Sequence, residues 1–332
     1  MSDPTRLPPG LGPHCVGVRV VVRRVLPGET GPSGGPAMTD LLGVMEAWDE
    51  TSTRIRGEDG TATEIAIADI VSGKPVPPRP SARMRVTAEQ ACLMSNASWP
   101  AVHTRAVGDW LLRASGGFSA RANSVMAIGD PGRPFADAVQ EALAFYAEHG
   151  LAAWAQVVVG SETGHRFEGA GWQVARPGEA DSEFQLAPVA QSARAVRRLL
   201  PASAPDVRLD AEVSEAWLAN DARATAHHDA AVAVLDGPAQ VAFVSVGDPV
   251  VAKGRIAVDG DWAGITDVWV SPAHRRRGLA VVVVDAMLEW AAERGATTAY
   301  LQVRGDNPPA LALYATLGFR THHTYRYLAA PD

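Results

Sequence analysis

The chain has 332 residues, of which 47% are hydrophobic and 20% are charged, a balance typical of folded globular proteins. Because one hydrophobic core seldom serves more than roughly 250 residues, this length predicts more than one domain. The net charge of -7 at pH 7 argues against nucleic-acid binding, which depends on many contacts from Lys and Arg to phosphate.

The cysteines and the apolar runs indicate the compartment. Cys15 and Cys92 are far apart and lack the spacing of metal ligands, so we predict no disulfide framework, no metal site and a reducing environment. The apolar runs are interrupted before they reach the roughly 18 to 20 residues of a membrane span. The first residues also lack the apolar segment of a signal peptide. We therefore expect a cytoplasmic protein with no membrane association.

The first part of the chain has the pattern of a small β domain. Residues 1–13 are rich in Pro and Gly and predict a flexible tail, and Pro27–Asp40 has the composition of a mobile loop. Short β-prone runs separated by turn residues, among them Asp59-Gly60, predict an SH3-like β-barrel over residues 14–80. The run Pro75–Pro80 at its end is typical of a stiff connector between domains.

Two later segments have the same order of features: a helix, a strand, a second helix and a Gly-aromatic pair. This order indicates two copies of one α/β unit, although two unrelated pieces could also agree this well. The corresponding positions are Gly150 and Gly295, Gln156-Val157 and Gln302-Val303, and Gly171-Trp172 and Gly318-Phe319.

The second copy contains a candidate anion site. The run "GITDVWVSP" predicts a strand that ends at Pro272, and a turn with three arginines and Gly278 then leads into a helix. Free backbone N–H groups and the positive end of the helix dipole meet at such a turn, and a phosphate is its usual ligand. Gly278 would let the backbone approach the anion, and Ala280 would keep the first helical turn thin.

Two motifs of this copy carry a family resemblance. Arg275–Ala280 fits R/Q-x-x-G-x-G/A, and Asn307–Phe319 fits N-x-x-A-x-x-L-Y-x-x-x-G-F. In this order they resemble the GNAT superfamily of N-acetyltransferases over residues 194–328. The resemblance implies an α/β (α+β) fold, in which the barrel is followed along the chain by two GNAT-type mixed-sheet lobes. The first, over 84–188, would be degenerate, and the second, over 194–329, would bind acetyl-CoA.

The resemblance also implies roles for single residues. The strand before the turn and the later strand "AYLQV" would splay apart and leave their edges free for acetyl-CoA. Tyr314 would be the catalytic acid beside the departing thiolate, and Asn307 would bridge the cofactor and a helix start. The remaining cofactor-binding residues would be Val268, Trp269, Val270, Arg275, Arg276, Arg277, Gly278, Leu279 and Ala280.

Each of these residues also has a purely structural interpretation. The arginines could cap a solvated helix, Asn307 could be an N-cap, and Tyr314 could be a core aromatic. The general base is open as well. The positions where the family often has an ionisable residue are Gly264 and Thr266, and Asp267 would face the other side unless a bulge redirects it. The other candidates are His227, His228, Asp229, His322, His323 and water.

The first copy lacks the motif turn, and Phe167 stands where the second copy has Tyr314. We therefore predict that it is a degenerate lobe that helps to form the acceptor cleft, and that each chain binds one acetyl-CoA. Four of its polar residues could line that cleft or could instead form hydrogen bonds within a hairpin: Arg113, Arg121, Asn123 and Ser124.

The function predicted from these features is N-acetyl transfer from acetyl-CoA to a primary amine, by direct attack in a ternary complex, and the cofactor could also be another short acyl-CoA. The alternative is a non-catalytic acyl-CoA-binding protein that regulates or contacts a partner. The acceptor stays open between a small molecule and a protein, although the acidic composition favours a cationic acceptor. The sequence also leaves open whether the chain forms a homodimer.

Overall fold

The computed structural model describes residues 10–30, 34–57, 60–76 and 82–331. The chain divides into two compact units, Met1–Ser81 and Ala82–Asp332. Residues 1–9 of the predicted tail and 77–80 of the predicted connector lie outside the described part. Among the described residues, no helix has both the length and the apolarity needed to cross a lipid bilayer.

The described residues of the first unit form an antiparallel sheet of five strands: β1 (Arg19–Thr30), β2 (Pro36–Trp48), β3 (Ser52–Gly57), β4 (Ala62–Ala66) and β5 (Ile70–Pro75). Their order in the sheet is β4-β3-β2-β1-β5. Alternation along β1 buries Val20 and Val22, which pack with Met45 and Ile55 of the neighbouring strands. Thr30 pairs with Pro36, so the hairpin arms extend into the predicted loop, of which residues 31–33 lie outside the described part.

Between residues 82 and 331, twelve strands form one mixed sheet, in the order β12-β13-β14-β15-β16-β11-β17-β9-β8-β7-β6, with β10 paired to β17. The strands are β6 (His103–Val107), β7 (Trp110–Ala114), β8 (Val125–Met126), β9 (Trp154–Val158), β10 (Gln173–Val174), β11 (Ser182–Pro188), β12 (Val207–Asp210), β13 (Val241–Val246), β14 (Ala252–Asp259), β15 (Trp262–Val270), β16 (Thr298–Arg304) and β17 (Arg320–Ala329). The helices are α1 (Ala88–Asn96), α2 (Phe135–Glu148), α3 (Glu162–Gly169), α4 (Val189–Arg197), α5 (Glu215–Leu218), α6 (Ala222–Ala226), α7 (His228–Leu235), α8 (Leu279–Glu293) and α9 (Pro308–Thr316).

The carboxyl-terminal lobe consists of β12–β16 and α4–α9. Its first four strands are antiparallel neighbours, and α8 crosses over to β16, which pairs parallel with β15. The apolar side of α8, including Val284, Met287, Leu288 and Ala291, is buried in the lobe's core. This spacing of three and four residues is that of a helix with one face on a sheet.

The amino-terminal lobe consists of α1–α3 and β6–β9. It repeats the same unit, because α2 connects the parallel strands β8 and β9 as α8 connects β15 and β16, and α3 follows. The helices α3 and α9 are both followed by a glycine with a φ of +87°, Gly171 and Gly318. The internal repeat seen in the sequence is therefore present in the structure.

The two lobes exchange their last strands. β11, which follows the amino-terminal lobe in sequence, pairs along its whole length with β16 of the carboxyl-terminal lobe. β17, at the end of the carboxyl-terminal lobe, pairs with β9 of the amino-terminal lobe. β11 and β17 also pair with each other, so each lobe's sheet is completed by the other's strand. The boundaries 84–188 and 194–329 stay a prediction, and both are crossed by this exchange.

Candidate active site

The site begins where β15 separates from β16. The two strands pair from Trp262 with Thr298 to Ile265 with Leu301, and no further. Beyond that point β16 pairs with β11 on its other side, so the facing edges of 266–270 and 302–304 have no partner strand among the described residues. Val268, Trp269 and Val270 lie on this free edge. Unpaired backbone groups of this kind can bind an extended ligand.

A β-bulge lies at the point of separation. Arg255 of β14 faces Thr266 and Lys253 faces Trp269, so Asp267 and Val268 together oppose Gly254. Asp267 has a φ of +52°, in the left-handed region that is uncommon for residues other than glycine. A cleft opens beside this end of β15, and Asp267 is one of the residues that line it. Without the bulge, simple alternation along the strand would place the side chain of Asp267 on the opposite face.

The carboxylate of Asp267 is only half paired. Its Oδ1 accepts a hydrogen bond from Nη2 of Arg223 at 3.1 Å, and its Oδ2 is buried without a partner among the described residues. Arg223 is shared with Asp221, to which it donates through Nη2 at 2.7 Å and Nε at 3.1 Å. One oxygen of Asp267 therefore has no hydrogen-bond donor among the described residues, although the residue lines the cleft.

The other two positions considered for a base are occupied differently. A Cβ on Gly264 would lie 2.5 Å from the hydroxyl oxygen of Tyr300, so no ionisable side chain fits there. The hydroxyl of Thr266 accepts from Nη1 of Arg255 at 3.3 Å. Burial lowers the pKa of Arg255 to about 10, which still leaves this guanidinium charged at neutral pH.

The turn after β15 has the geometry of an anion site. A short 3-10 helix, Pro272–His274, leads to three exposed arginines, and Gly278 caps the start of α8 with a φ of +78°. A Cβ on Gly278 would only touch Pro201 at 3.4 Å, so the backbone conformation rather than lack of space requires glycine there. Arg276 is also left-handed, with a φ of +63°.

Several backbone amides of this turn are free. The first hydrogen bonds into α8 come from Val281 and Val282, which both donate to the carbonyl of Gly278 at 2.9 and 3.1 Å. No described residue accepts from the N–H groups of Gly278, Leu279 and Ala280. Arg275 donates from Nε to the carbonyl of Val270 at 3.3 Å, while Arg276 and Arg277 extend into solvent. The predicted phosphate-binding residues thus lie together around one helix start.

Asn307 and Tyr314 lie on the next helix. Asn307 is the N-cap of α9, and its Oδ1 accepts from the N–H of Ala310 at 3.3 Å, so the structural interpretation of this residue holds. Its exposed amide nitrogen is still a donor. Tyr314 is buried, with its ring 5.8 Å from that of Phe319. Burial, and then the negative charge of Asp267, raise the pKa of its phenol to about 12.

A cleft of about 590 Å³ opens beside the bulge, which is a volume typical of small-molecule sites. Both lobes and both exchanged segments contribute to it. Its lining residues include Trp99, Phe118, Arg121, Arg176, Arg223, His227, Thr266, Asp267, Gln302, Arg304, Tyr325 and Tyr327.

His322 and His323 do not fit the role of a base. His322 Nε2 lies 2.8 Å from the carbonyl of Val86, its Nδ1 lies 2.8 Å from His323 Nδ1, and His323 Nε2 lies 3.3 Å from Cys92 Sγ. A carbonyl only accepts, so His322 donates to Val86, His323 donates to His322, and the Cys92 thiol donates to His323. Burial, and then His322, lower the pKa of His323 to about 4.

The two residues of the other histidine pair, His227 and His228, have different surroundings. His227 lines the cleft, whereas His228 is exposed and lies 2.8 Å from Glu215 and 3.3 Å from Asp229. Hydrogen bonding to Glu215, and then to Asp229, raises the pKa of His228. Of this trio only His227 is placed to contact an acceptor.

With this geometry in place, comparison with known proteins identifies the family. The family described as the probable histone acetyltransferase Rv0428c C-terminal region matches residues 85–328, well over half of the chain. The chain belongs to this family. The Rv0428c N-terminal Sm-like domain matches residues 14–74, so the first unit resembles an Sm-like domain, where the sequence analysis expects an SH3-like one. In both descriptions it is a small β domain.

Two relatives illustrate the range of the family. The probable histone acetyltransferase Rv0428c of Mycobacterium tuberculosis is 29% identical over 340 residues, which cover 97% of this chain and 96% of the relative. The uncharacterized N-acetyltransferase YobR of Bacillus subtilis is 28% identical over 249 residues, or 70% of this chain and 95% of the relative. The prediction of a GNAT-type N-acetyltransferase is confirmed by this membership.

Solved structures support the fold. A GCN5-related N-acetyltransferase from Kribbella flavida has a TM-score of 0.50 and 17% identity, covering 75% of this chain and 97% of its own. A tandem GNAT protein from the clavulanic acid biosynthesis pathway has the same TM-score and identity, covering 63% and 75%. At this identity the likeness concerns the fold alone, and it confirms the predicted pair of GNAT-type lobes.

Most of the polar residues considered in the amino-terminal GNAT lobe are structural. Arg113 is fully buried and donates to the carbonyl and hydroxyl oxygens of Ser124 at 3.0 and 3.1 Å and to Gln156 at 2.8 Å. Asn123 accepts from the N–H groups of Ser115 and Gly117. These three form the hairpin hydrogen bonds considered as the alternative, and of the four only Arg121 lines the cleft.

Sequence reasoning missed several residues of the cleft. Arg223 comes from α6, Arg176 from the turn after β10, and Tyr325 from the exchanged strand β17. None belongs to either GNAT motif, and no local pattern in the sequence marks them. Only the strand exchange brings these segments to one place.

Proposed function

We propose that this chain transfers an acetyl group from acetyl-CoA to an amine. One observation carries the proposal: the unpaired end of β15 connects the turn of free amides at Gly278 with the cleft that holds Asp267. A ligand bound at the turn and lying along this edge would therefore reach the cleft. The names of the relatives agree with acetyl transfer.

The residues present fit a coenzyme A. The amides of Gly278, Leu279 and Ala280 and the side chains of Arg276 and Arg277 would hold the phosphates. The strand edge at Val268, Trp269 and Val270 would hold the extended arm, next to the free amide nitrogen of Asn307. When bound, acetyl-CoA supplies an acetyl thioester, and the products are an amide and a free thiol.

Asp267 would handle the proton of the amine. A protonated amine lacks the lone pair needed for attack, so one proton must leave it. The free Oδ2 of Asp267 can accept that proton directly or through a water, while Arg223 holds the other oxygen in place. This assigns the role of base to the residue that the bulge turns toward the cleft.

Tyr314 would act at the sulfur that leaves. With its pKa raised to about 12, the phenol keeps its proton at neutral pH. A thiol has a pKa near 8.5, so complete proton transfer from this phenol would be unfavourable, whereas a hydrogen bond would stabilise a thiolate. We therefore assign Tyr314 the role of a hydrogen-bond donor more than that of a full acid.

The test is the Asp267→Asn variant, which keeps the size of the side chain and removes its basicity. We expect turnover of an amine acceptor, measured as CoA release, to fall about 100-fold, the usual range for loss of a general base. Binding of acetyl-CoA, measured by calorimetry, should be unchanged. Asp221→Asn is the matched control, because Asp221 also pairs with Arg223 but does not line the cleft. It should retain near-normal turnover.

Two outcomes would contradict the proposal. Full activity in Asp267→Asn would remove Asp267 from the mechanism. Tight acetyl-CoA binding without acetyl transfer to any amine would favour the non-catalytic alternative, a protein that senses acyl-CoA.

A further inference from the structure

Arginines predominate among the charged side chains that line the cleft. Of the described side chains that line it, four are arginines and one, Asp267, is a carboxylate. Arg223 is paired with Asp221 and Asp267, Arg304 with Asp306 and Glu179, and Arg176 lies 3.6 Å from Glu179. These carboxylates neutralise three of the four arginines, so the charge that the cleft offers to a ligand depends on the fourth arginine.

Arg121 differs from the other three arginines. It has no carboxylate partner among the described residues, and its Nε is buried without a hydrogen bond to any of them. Its guanidinium lies 5.0 Å from the ring centroid of Trp99, an aromatic contact that positions the plane of the charge. Tyr325 and Tyr327 line the same part of the cleft and offer only hydroxyl groups.

Such an arrangement is costly unless an anion completes it. A largely buried guanidinium without a partner loses hydration, and a buried donor left unpaired is destabilising. A carboxylate could accept from both terminal nitrogens of Arg121 at once, a bidentate geometry that arginine favours. Arg121 and Asp267 contribute opposite charges to one cleft and influence each other electrostatically.

We propose that the acceptor is a small amino acid or a similar aminocarboxylate, with its carboxylate on Arg121 and its amine on Asp267. The inference rests on the proposed acetyl transfer and adds the class of acceptor. The volume of about 590 Å³ suits a molecule of this size. The unpaired cation and the half-free carboxylate match the two charges of a zwitterion. Polyamines and lysine-rich protein tails lack the carboxylate that Arg121 would bind.

The experiment uses pairs of acceptors that differ only in the carboxylate. The full-length protein, saturated with CoA, is titrated by calorimetry with the common L-amino acids, β-alanine and γ-aminobutyrate, each beside its carboxamide, and with spermidine. We expect at least one acid to bind about 10 to 100-fold more tightly than its amide, the value of a charge-assisted bidentate contact. The same pairs are then assayed for CoA release with acetyl-CoA.

Two variants assign the preference to a residue. Arg121→Gln should bring the acid-to-amide ratio close to one, in both Kd and kcat/KM, while Arg121→Lys keeps part of it. Arg176→Gln is the control, because Arg176 lines the same cleft but already faces Glu179. The change in ratio between variants is the decisive quantity, since an amino acid and its amide also differ in the basicity of the amine.

The outcomes separate this inference from the proposed function. If amides or spermidine bind and react as well as the acids, or if Arg121→Gln leaves the ratio unchanged, the aminocarboxylate proposal is wrong while acetyl transfer stands. If no acid binds better than its amide, the proposal is equally wrong. Absence of acetyl-CoA binding would instead overturn the proposed function.

Discussion

Each lobe contains a parallel strand pair joined by a helix. In the carboxyl-terminal lobe the two strands separate and leave a free edge, whereas in the amino-terminal lobe the corresponding space is filled. In the carboxyl-terminal lobe β15 leaves β16 after Ile265, and its far end leads to the turn at Gly278. In the amino-terminal lobe β8 is only two residues long, and the space beside β9 is a cavity of about 10 Å³ lined by Cys92 and Gln156. This volume holds at most a water molecule.

The helix starts differ in the same way. Before α2 stands Pro134, which lacks an N–H, and Arg133 pairs with Glu141 of the helix rather than with an external anion. Before α8, by contrast, the described residues leave the amides and two of the arginines free. A lobe can thus keep the fold without a ligand site when the space between its strands is filled and the turn before its helix has changed.

The largest effect is expected from a substitution at the turn before α8, which would remove the anion site of the carboxyl-terminal lobe. Aspartate tolerates the left-handed region, so Gly278→Asp should fold and place a negative charge where we predict phosphate. At an effective dielectric constant near 20, repulsion at about 5 Å is roughly 3 kcal/mol, or on the order of 100-fold in the Kd for acetyl-CoA. Calorimetric titration measures this loss.

Two controls accompany it. Gly278→Asn has the same shape without the charge and should weaken binding far less. Gly132→Asp makes the same change in the amino-terminal lobe, where Gly132 has a φ of +68°, and should leave the Kd unaltered. Equal losses for Gly278→Asp and Gly132→Asp would mean that acetyl-CoA does not bind at Gly278.

The second prediction exchanges the aromatic residues of the two lobes. Tyr314→Phe should lower kcat about 10-fold or more without changing the Kd for acetyl-CoA, because it removes one hydrogen-bond donor. Phe167→Tyr should leave activity unchanged but reduce stability by about 1–3 kcal/mol, since the hydroxyl would be added where Phe167 is fully buried against the rings of Trp110, Phe135 and Trp172. Stopped assays and denaturant unfolding test the pair. Unchanged kcat in Tyr314→Phe would rule out the assigned role.

The third prediction concerns the hydrogen-bond chain from Val86 to Cys92. Because the pKa of His323 is about 4 in the folded protein and near 6.5 when unfolded, its contribution to stability is present above pH 6.5 and is lost as the pH falls toward 4. Between pH 7.5 and 5 this amounts to roughly 2 kcal/mol. His323→Gln should flatten the pH dependence of urea unfolding over this range.

His228→Gln is the control for this measurement. The pKa of His228 is raised, so its contribution has the opposite sign, and the variant should steepen the loss in acid slightly. An unaltered slope in His323→Gln would show that the buried histidine does not control acid stability.

Local patterns of the sequence were sufficient for part of the site. The strand that ends at Pro272, the turn with Gly278 and the helix after it depend on neighbouring residues, and all three are present. The repeat also follows from the sequence, because each copy keeps its own helix and strand pattern. The anion-binding turn and the two lobes can therefore be predicted from residues that are close together in the chain.

Other features depend on pairing between distant segments. The bulge at Asp267 arises from the register between β14 and β15, which no single strand encodes. The place of Arg121 in the cleft and the inward chain of His322, His323 and Cys92 require β17 to lie beside the amino-terminal lobe. Alternation along the sequence predicted that Asp267 faces away from the cleft. It also gave no reason to exclude His322 and His323 as candidate bases.

The strand exchange has a consequence for synthesis of the protein on the ribosome. Strand β17, Arg320–Ala329, lies between β11 and β9 and is translated after all the other described strands, so the amino-terminal lobe's sheet stays incomplete until β17 is available. The edge of β9 must therefore stay protected while the carboxyl-terminal lobe is being translated, a state in which chaperones and crowding act on β proteins. When β17 pairs with β9, it also adds Tyr325 and Tyr327 to the cleft, so completion of this sheet and completion of the cleft are one event.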